Sequence, residues 1–333
     1  ENHFRHLLKS QYACAVSSGT AGLIIALQAL GVKRGDEVIT VAFTVPATVN
    51  SIVAIGAVPI MVDIDAVTLG MDPEKLLEAI TARCKAIIVV HAFGQSAQLG
   101  KILEIAAQFK LKVIEDACEA IGNCYKGQAL GSVADIGVFA FYPNKQITTG
   151  EGGMLVTNDK SLQESFALLR NHGRNMNGEL FDQHSFGWNF RMSDINAALG
   201  LSQLKRLDQI LVKRKLLADQ YSDLLSLSPL IHCPQFGADE QDSAWFVYVV
   251  RLLSVDKEAQ RLKIIKQLAD AGIQTGRYFA PVHLQPYYQA KFPQLKLANT
   301  EHIAQQTLAL PFYHHLQDTD IKFIAARLRE CLK

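Results

Sequence analysis

Three short stretches of this sequence hold residue types that do chemistry, at spacings one site would need. The first is Ser17-Ser18-Gly19-Thr20-Ala21, two small hydroxyl residues and a glycine between an apolar run and a helical one. N–H groups at the start of a helix lack intrahelical partners, and the helix dipole favours an anion there. Thr20 and its neighbours are therefore candidates for gripping a phosphate; simple N-capping by Ser18 or Thr20 is the alternative. The second stretch is Glu115-Asp116-Ala117-Cys118, where two carboxylates close the apolar run Val113-Ile114. A carboxylate at the carboxyl end of a buried strand faces the crevice where open sheets bind ligands, and it needs a cationic partner there. A protonated ring nitrogen would serve; a cap on a neighbouring helix is the other reading. The third is Phe141-Tyr142-Pro143-Asn144-Lys145, followed by Thr149-Gly150-Glu151-Gly152-Gly153. Apolar surroundings lower a lysine pKa and free its amine to attack a carbonyl, and the glycines are expected to admit a bulky ligand close to the backbone. The alternative is a solvated lysine at a hairpin turn.

The elements that must position these residues alternate. Residues 12–16, 37–41, 58–62, 86–91 and 112–114 read as strands. Helices are expected at 21–30, around 47–55, from Pro73 and near 101–108. That alternation predicts a parallel sheet covered on both faces. Residues 136–141 and 153–157 read as two further strands, too close together for a crossover helix, so part of the sheet is expected to be antiparallel. From Ser193 to about Leu225, helical spacing of Leu199, Leu204, Leu207, Ile210 and Leu211 predicts one long helix. It would join a large α/β domain, residues 1–225, to a small α+β domain, residues 226–333. The latter is expected to hold a strand at 244–252 and helices at 258–271 and 321–332. A cleft between the two is a natural place for a site.

Composition narrows the class. The chain has 333 residues, and 33 Lys+Arg against 32 Asp+Glu leave a net charge of +1, without the electrostatic footprint of a nucleic-acid or membrane-surface binder. Its apolar runs are too short to span a bilayer, and the polar opening, Glu1–Arg5, is not a signal peptide. Cys14, Cys84, Cys118, Cys124, Cys233 and Cys331 are scattered without a CxxC pair, so neither a metal cage nor a disulfide framework is expected. A cytoplasmic enzyme is the expectation. His314-His315 reads as a solvated turn, Cys118 as a small buried filler, and His91 as a hydrogen-bonded wall residue.

Together, a phosphate cradle, a mid-sheet aspartate and a later lysine match the way a fold-type I enzyme holds pyridoxal phosphate. The chain resembles the DegT/DnrJ/EryC1/StrS family of pyridoxal-phosphate-dependent sugar aminotransferases over nearly its whole length. The resemblance rests on an ordered set of motifs: Ser18-Gly19-Thr20-Ala21, Gly35-Asp36-Glu37-Val38, Glu115-Asp116-Ala117 with Gly122, Phe141–Lys145 and Thr149–Gly153. Further on come Arg170-Asn171-His172-Gly173-Arg174, Gly187–Asp194, Tyr278-Phe279 with Pro281-Val282-His283, and Leu310-Pro311.

The resemblance implies a fold-type I transferase, with a large domain carrying a mostly parallel mixed sheet and a smaller C-terminal α+β domain. It implies that Lys145 bears the cofactor as a Schiff base and shuttles the proton, and that Asp116 keeps the ring nitrogen protonated. Gly19, Thr20 and Ala21 would hold the phosphate, and Glu119 would lie near the ring hydroxyl, where the family often has Gln or His. Asn189 would reach the phosphate of the neighbouring subunit's cofactor, making a homodimer with shared sites. The implied reaction moves an amino group from an amino acid, glutamate by family resemblance, to a nucleotide-linked keto sugar, in cell-surface polysaccharide or secondary-metabolite biosynthesis. Arg191 and His283 are candidate substrate contacts, against a helix-start salt bridge and loop packing respectively; Arg277 is a candidate for the diphosphate. Val45 stands where the family often has an aromatic residue on the ring, and Ala140 where it has a serine on the phosphate. The chain also begins inside the family's usual start, which leaves out a segment expected at the active-site rim. Rival readings are a cyclitol transaminase, a dehydratase-like enzyme of the same fold, and a cofactor-binding regulatory protein. Dehydratases of this fold replace the lysine with histidine, so Lys145 favours transamination.

Overall fold

The computed structural model describes residues 1–174, 182–236 and 244–333. Strands β1 (Tyr12–Val16), β2 (Glu37–Val41), β3 (Val58–Val62), β4 (Cys84–Val90), β5 (Lys112–Asp116), β6 (Ile136–Ala140) and β7 (Gly153–Thr157) form one sheet, in the order β1-β7-β6-β5-β4-β2-β3. All pairs are parallel except those of β7, which runs against β1 and β6. The short spacing between β6 and β7 forces that reversal, as expected. The chain has no room there for a crossover.

Both faces of the sheet are covered. Val38 and Ile114 point into the core on one side, whereas their neighbours Ile39 and Val113 point into the core on the other. Strands buried on both faces therefore read as continuous apolar runs instead of alternating ones. Helix α1 (Gly19–Ala29) returns from the end of β1 and packs against β6 and β7; α2 (Pro46–Ala54) follows β2 and begins at a proline, whose fixed φ suits a first helical turn.

The long helix expected from Ser193 onward is two helices. α3 (Asp194–Leu204) and α4 (Leu207–Leu225) are separated at Lys205-Arg206, where Arg206 leaves helical geometry with φ −109°. The break has a packing cause. Leu207 turns into the core beneath the sheet, whereas α3 buries no side chain at all. The far end of α4 enters a different core, in which Leu217, Tyr221 and Leu225 meet Tyr248, Leu268, Leu308 and Ile324. That core surrounds a second, antiparallel sheet of β8 (Ile231–His232), β9 (Tyr248–Leu252) and β10 (Thr307–Leu310).

β9 starts four residues later than the spacing predicts, because the backbone ahead of it is engaged elsewhere. Ala244 exchanges hydrogen bonds with the Asn123 side chain, and the carbonyls of Trp245 and Phe246 accept from Arg214. Those groups cannot also serve a ladder. No helix among the described residues is long and apolar enough to cross a membrane.

Candidate active site

β1, β2, β5 and β6 all end at the same edge of the sheet, and the loops leaving that edge carry the residues singled out above. At the end of β1, Ser18 caps α1 by accepting the N–H of Ala21 at 3.1 Å. The N–H of Ala21 is thereby spent. Among the described residues, neither the N–H of Gly19 nor that of Thr20 donates a hydrogen bond, and the Thr20 hydroxyl has no partner. Capping and an anion cradle are thus compatible at one helix start. A Cβ on Gly19 would come within 2.8 Å of Ala140 Cβ and 3.0 Å of Cys118 Sγ, so α1 starts hard against the ends of β5 and β6.

The two carboxylates closing β5 diverge, because successive side chains on a strand point to opposite faces. Glu115 turns inward: it meets His91 Nε2 at 3.0 Å and accepts the N–H groups of Gly131, Val133 and Ala134 at 2.7–2.8 Å. It holds a loop. Asp116 turns to the site, where Oδ2 accepts from Thr48 Oγ1 of α2 at 2.9 Å and Oδ1 from the Cys118 N–H at 3.4 Å. Nothing in the local sequence around Thr48 signalled this contact, which depends on β2 and β5 flanking β4.

Lys145 follows β6 in a turn, with its N–H donated to the Tyr142 carbonyl. Its Nζ lies 3.3 Å from Glu119 Oε1 and 4.3 Å from the centroid of the Phe246 ring. Glu119 Oε2 accepts the Phe93 N–H at 2.9 Å. The expectation of a lowered lysine pKa is overturned: burial pulls it down, but Glu119 and Asp116 outweigh burial and leave it above its ordinary value. Burial likewise pushes the Glu119 carboxyl up, against the pull of Lys145, and pushes the Cys118 thiol well up.

The glycine-rich turn has a different use from the one expected. A Cβ on Gly153 would meet the Ser18 carbonyl at 2.6 Å and Gly19 N at 2.8 Å; one on Gly152 would meet Thr149 Oγ1 at 2.3 Å. These glycines admit the protein's own cradle and turn. Gly150, at φ +78°, faces open space.

Asn189 is exposed and sits in a bridge with Asn171. The Phe190 carbonyl beside it accepts the Ser17 N–H at 2.8 Å, and Arg191 bridges Val16, so this segment lies along the end of β1 just ahead of the cradle. Arg191 donates to Asn171 Oδ1 at 2.8 Å, and Arg277 to Glu258 at 2.8 Å. His283 is buried, 3.2 Å from Glu301 Oε1. Val45 is exposed at the cap of α2. A cavity of about 890 Å³ opens beside Lys145, between its loop and a wall that includes Phe246, Tyr278 and Phe312; of the predicted site residues, only Lys145 borders it.

These groups fit pyridoxal phosphate. Two unbonded N–H groups at a helix start suit a phosphate dianion, a buried carboxylate suits a ring N–H, and the Lys145 amine lies within electrostatic reach of that carboxylate. The sequence model of the DegT/DnrJ/EryC1/StrS aminotransferase family matches residues 1–329. The spore coat polysaccharide biosynthesis protein SpsC of Bacillus subtilis is 37% identical over 345 residues, spanning all of this chain and 88% of that protein. NtdA of Bacillus subtilis, solved with bound cofactor PMP, is 34% identical with a TM-score of 0.88, over 99% of this chain and 75% of that one. Spr1654 of Streptococcus pneumoniae in its PLP form is 28% identical with a TM-score of 0.93, over 100% and 90%.

Proposed function

Because the chain belongs to the DegT/DnrJ/EryC1/StrS aminotransferase family, we propose that its acceptor is a nucleotide-linked keto sugar and its amino donor glutamate. The protein is a pyridoxal-phosphate-dependent sugar aminotransferase of fold type I. The observation carrying the reading is the convergence of Lys145, Asp116 and the unbonded N–H groups of Gly19 and Thr20 at one sheet edge. The relative SpsC, named for polysaccharide biosynthesis, supports a sugar destined for a cell-surface polymer.

When bound, pyridoxal phosphate supplies an electrophilic carbon and a ring that accepts the electron pair left when a substrate carbon loses its proton. Gly19 and Thr20 would bind the phosphate through their free N–H groups, and Thr20 through its hydroxyl as well. Asp116, oriented by Thr48, would hold a proton on the ring nitrogen. Lys145 would hold the cofactor through its side-chain amine. When free and neutral, that amine would take the proton from the donor carbon and, in the return half, would give one to the sugar carbon. Glu119 would accept a hydrogen bond from the Lys145 ammonium once that amine has taken the proton.

A cytoplasmic homodimer is the working unit in this reading, with each chain divided at residues 1–225 and 226–333 and with Asn189 reaching the phosphate in the neighbouring subunit. The bare face of α3 supports a partner there: Ile195 is 83% exposed, and Leu199, one turn on, is exposed beside it. The test is an assay of the loaded protein with glutamate and a panel of nucleotide-linked keto sugars, following 2-oxoglutarate release and the mass of the amino sugar. Amination of a free cyclitol ketone, with every keto-sugar nucleotide left untouched, would overturn the acceptor class.

A further inference from the structure

Phe246 belongs to the segment leading into the second sheet, yet its ring lies against the amine of Lys145 on the turn that follows β6 of the first. Two clamps hold it there. From α4, Arg214 Nη1 donates to the Phe246 carbonyl at 2.9 Å and to the Trp245 carbonyl at 3.3 Å. From the loop after β5, Asn123 donates to the Ala244 carbonyl at 3.0 Å and accepts the Ala244 N–H at 2.9 Å. The ring itself is fully buried, with Tyr278 edge-on at 6.1 Å. Arg214 is buried with no carboxylate partner among the described residues, and burial pushes its pKa down to about 10. A buried guanidinium spent on two carbonyls is a costly way to fix a backbone, which gives the position of Phe246 its weight.

The face of an aromatic ring attracts an ammonium ion and does not attract a neutral amine. We propose that Phe246 is a positioning residue for Lys145: when the lysine is free of the cofactor and carries a proton, the ring and Glu119 together hold its ammonium form at the site edge. The other groups around that nitrogen are Asp116, Cys118 and Tyr278, none of which offers a second ring face at this distance. The inference rests on the reading of Lys145 as the cofactor-bearing lysine.

The test uses the full chain loaded with pyridoxamine phosphate, so that no lysine is bonded to the cofactor. Lys145 is acetylated with trace anhydride across a pH series, and the extent is read by peptide mass spectrometry. In Phe246→Leu the labelling midpoint should fall by roughly half a pH unit, with labelling about two- to five-fold faster at fixed pH below it. Phe246→Tyr should restore the parental midpoint. Should Phe246→Leu fail to fold, 3,4,5-trifluorophenylalanine at position 246 keeps the shape and weakens the ring face, and must shift the midpoint in the same direction. An unmoved midpoint in a folded ring-weakened protein overturns the proposal. Failure of the underlying reading looks different: borohydride reduction of the pyridoxal-phosphate form would then attach the cofactor to a lysine other than Lys145.

Discussion

Thr48 gives its hydroxyl hydrogen to Asp116, Oγ1 to Oδ2 at 2.9 Å, which leaves Thr44 as the donor in its 3.0 Å contact with Thr48. A relay of two buried hydroxyls thus fixes one lone pair of Oδ2, while Oδ1 takes only the longer Cys118 N–H contact at 3.4 Å. Thr48→Val removes the hydroxyl at nearly constant volume. The loss of one hydrogen bond to a charged group, about 1.5–3 kcal/mol, should lower kcat roughly ten- to 150-fold at saturating cofactor. Thr48→Ser should recover most of it.

Asp116→Asn keeps the phosphate grip at Gly19 and Thr20 and should bind the cofactor nearly as well, as fluorescence titration would read. The proton-transfer rate in single turnover should fall by about 10²–10³, the usual loss when one preorganised electrostatic partner is removed. An unchanged rate would reduce Asp116 to a cap.

Gly153 and Gly150 should behave oppositely on cofactor retention. Gly153→Ala drives a methyl into the Ser18 and Gly19 backbone, which cannot move without shifting the cradle. It should destabilise the fold by roughly 1–3 kcal/mol and release cofactor on gel filtration. Gly150→Ala meets no atom and strains only a positive φ. Its loss should be about 1–2 kcal/mol, with the cofactor retained.

The buried His283 makes Glu301 a pH-dependent brace. Burial alone would raise the Glu301 carboxyl, but the Leu297 N–H and His283 outweigh it and hold the pKa below its ordinary value. A depressed carboxyl stabilises the fold above its unfolded pKa, and that contribution drains away as pH falls through the folded value. The urea midpoint of the parent should therefore exceed that of Glu301→Gln from neutrality to about pH 5, and the gap should close below it.

Subunit sharing has a mixing test. Lys145→Ala and Asn189→Asp should each be nearly inactive, the second because a carboxylate repels the cofactor phosphate. Refolded together, half the dimers are mixed and each mixed dimer has one whole site, so activity should return to roughly a quarter of the parent's. A mixture that exchanges subunits yet stays inactive would confine Asn189 to its own chain's site.

What the sequence disclosed was local. Each parallel strand announced itself as a short apolar run between turn residues, and the three chemical motifs sit at strand ends where chain order alone puts them. Contacts made by strand order stayed hidden: Thr48 and Asp116 are 68 residues apart, and only the placement of β2 and β5 on either side of β4 joins them. The apolar strand before Lys145 suggested a lowered pKa, and an apolar ring does lie beside the amine. Glu119 stood in plain view, but its reach to that amine depends on how the two loops meet. The helix Lys160–Arg170 escaped notice although Asp159 caps it, accepting the N–H groups of Ser161 and Leu162. Its mixed polar and apolar pattern is weak beside the strands around it.

The reversed strand β7 also sets a timetable. Among the described residues β1 has its one sheet neighbour in β7, with Val16 opposite Gly153, so the strand that launches the phosphate cradle finds no pairing partner among the residues made next. On a ribosome adding about 5–20 residues per second, β1 waits roughly 7–28 s for β7 to be synthesised. Through that interval β2–β5 can pair with one another, each neighbour already made, while Ser18, Gly19 and Thr20 have no edge to sit on. The cofactor's first foothold in sequence is among the last to take shape during synthesis of the large sheet.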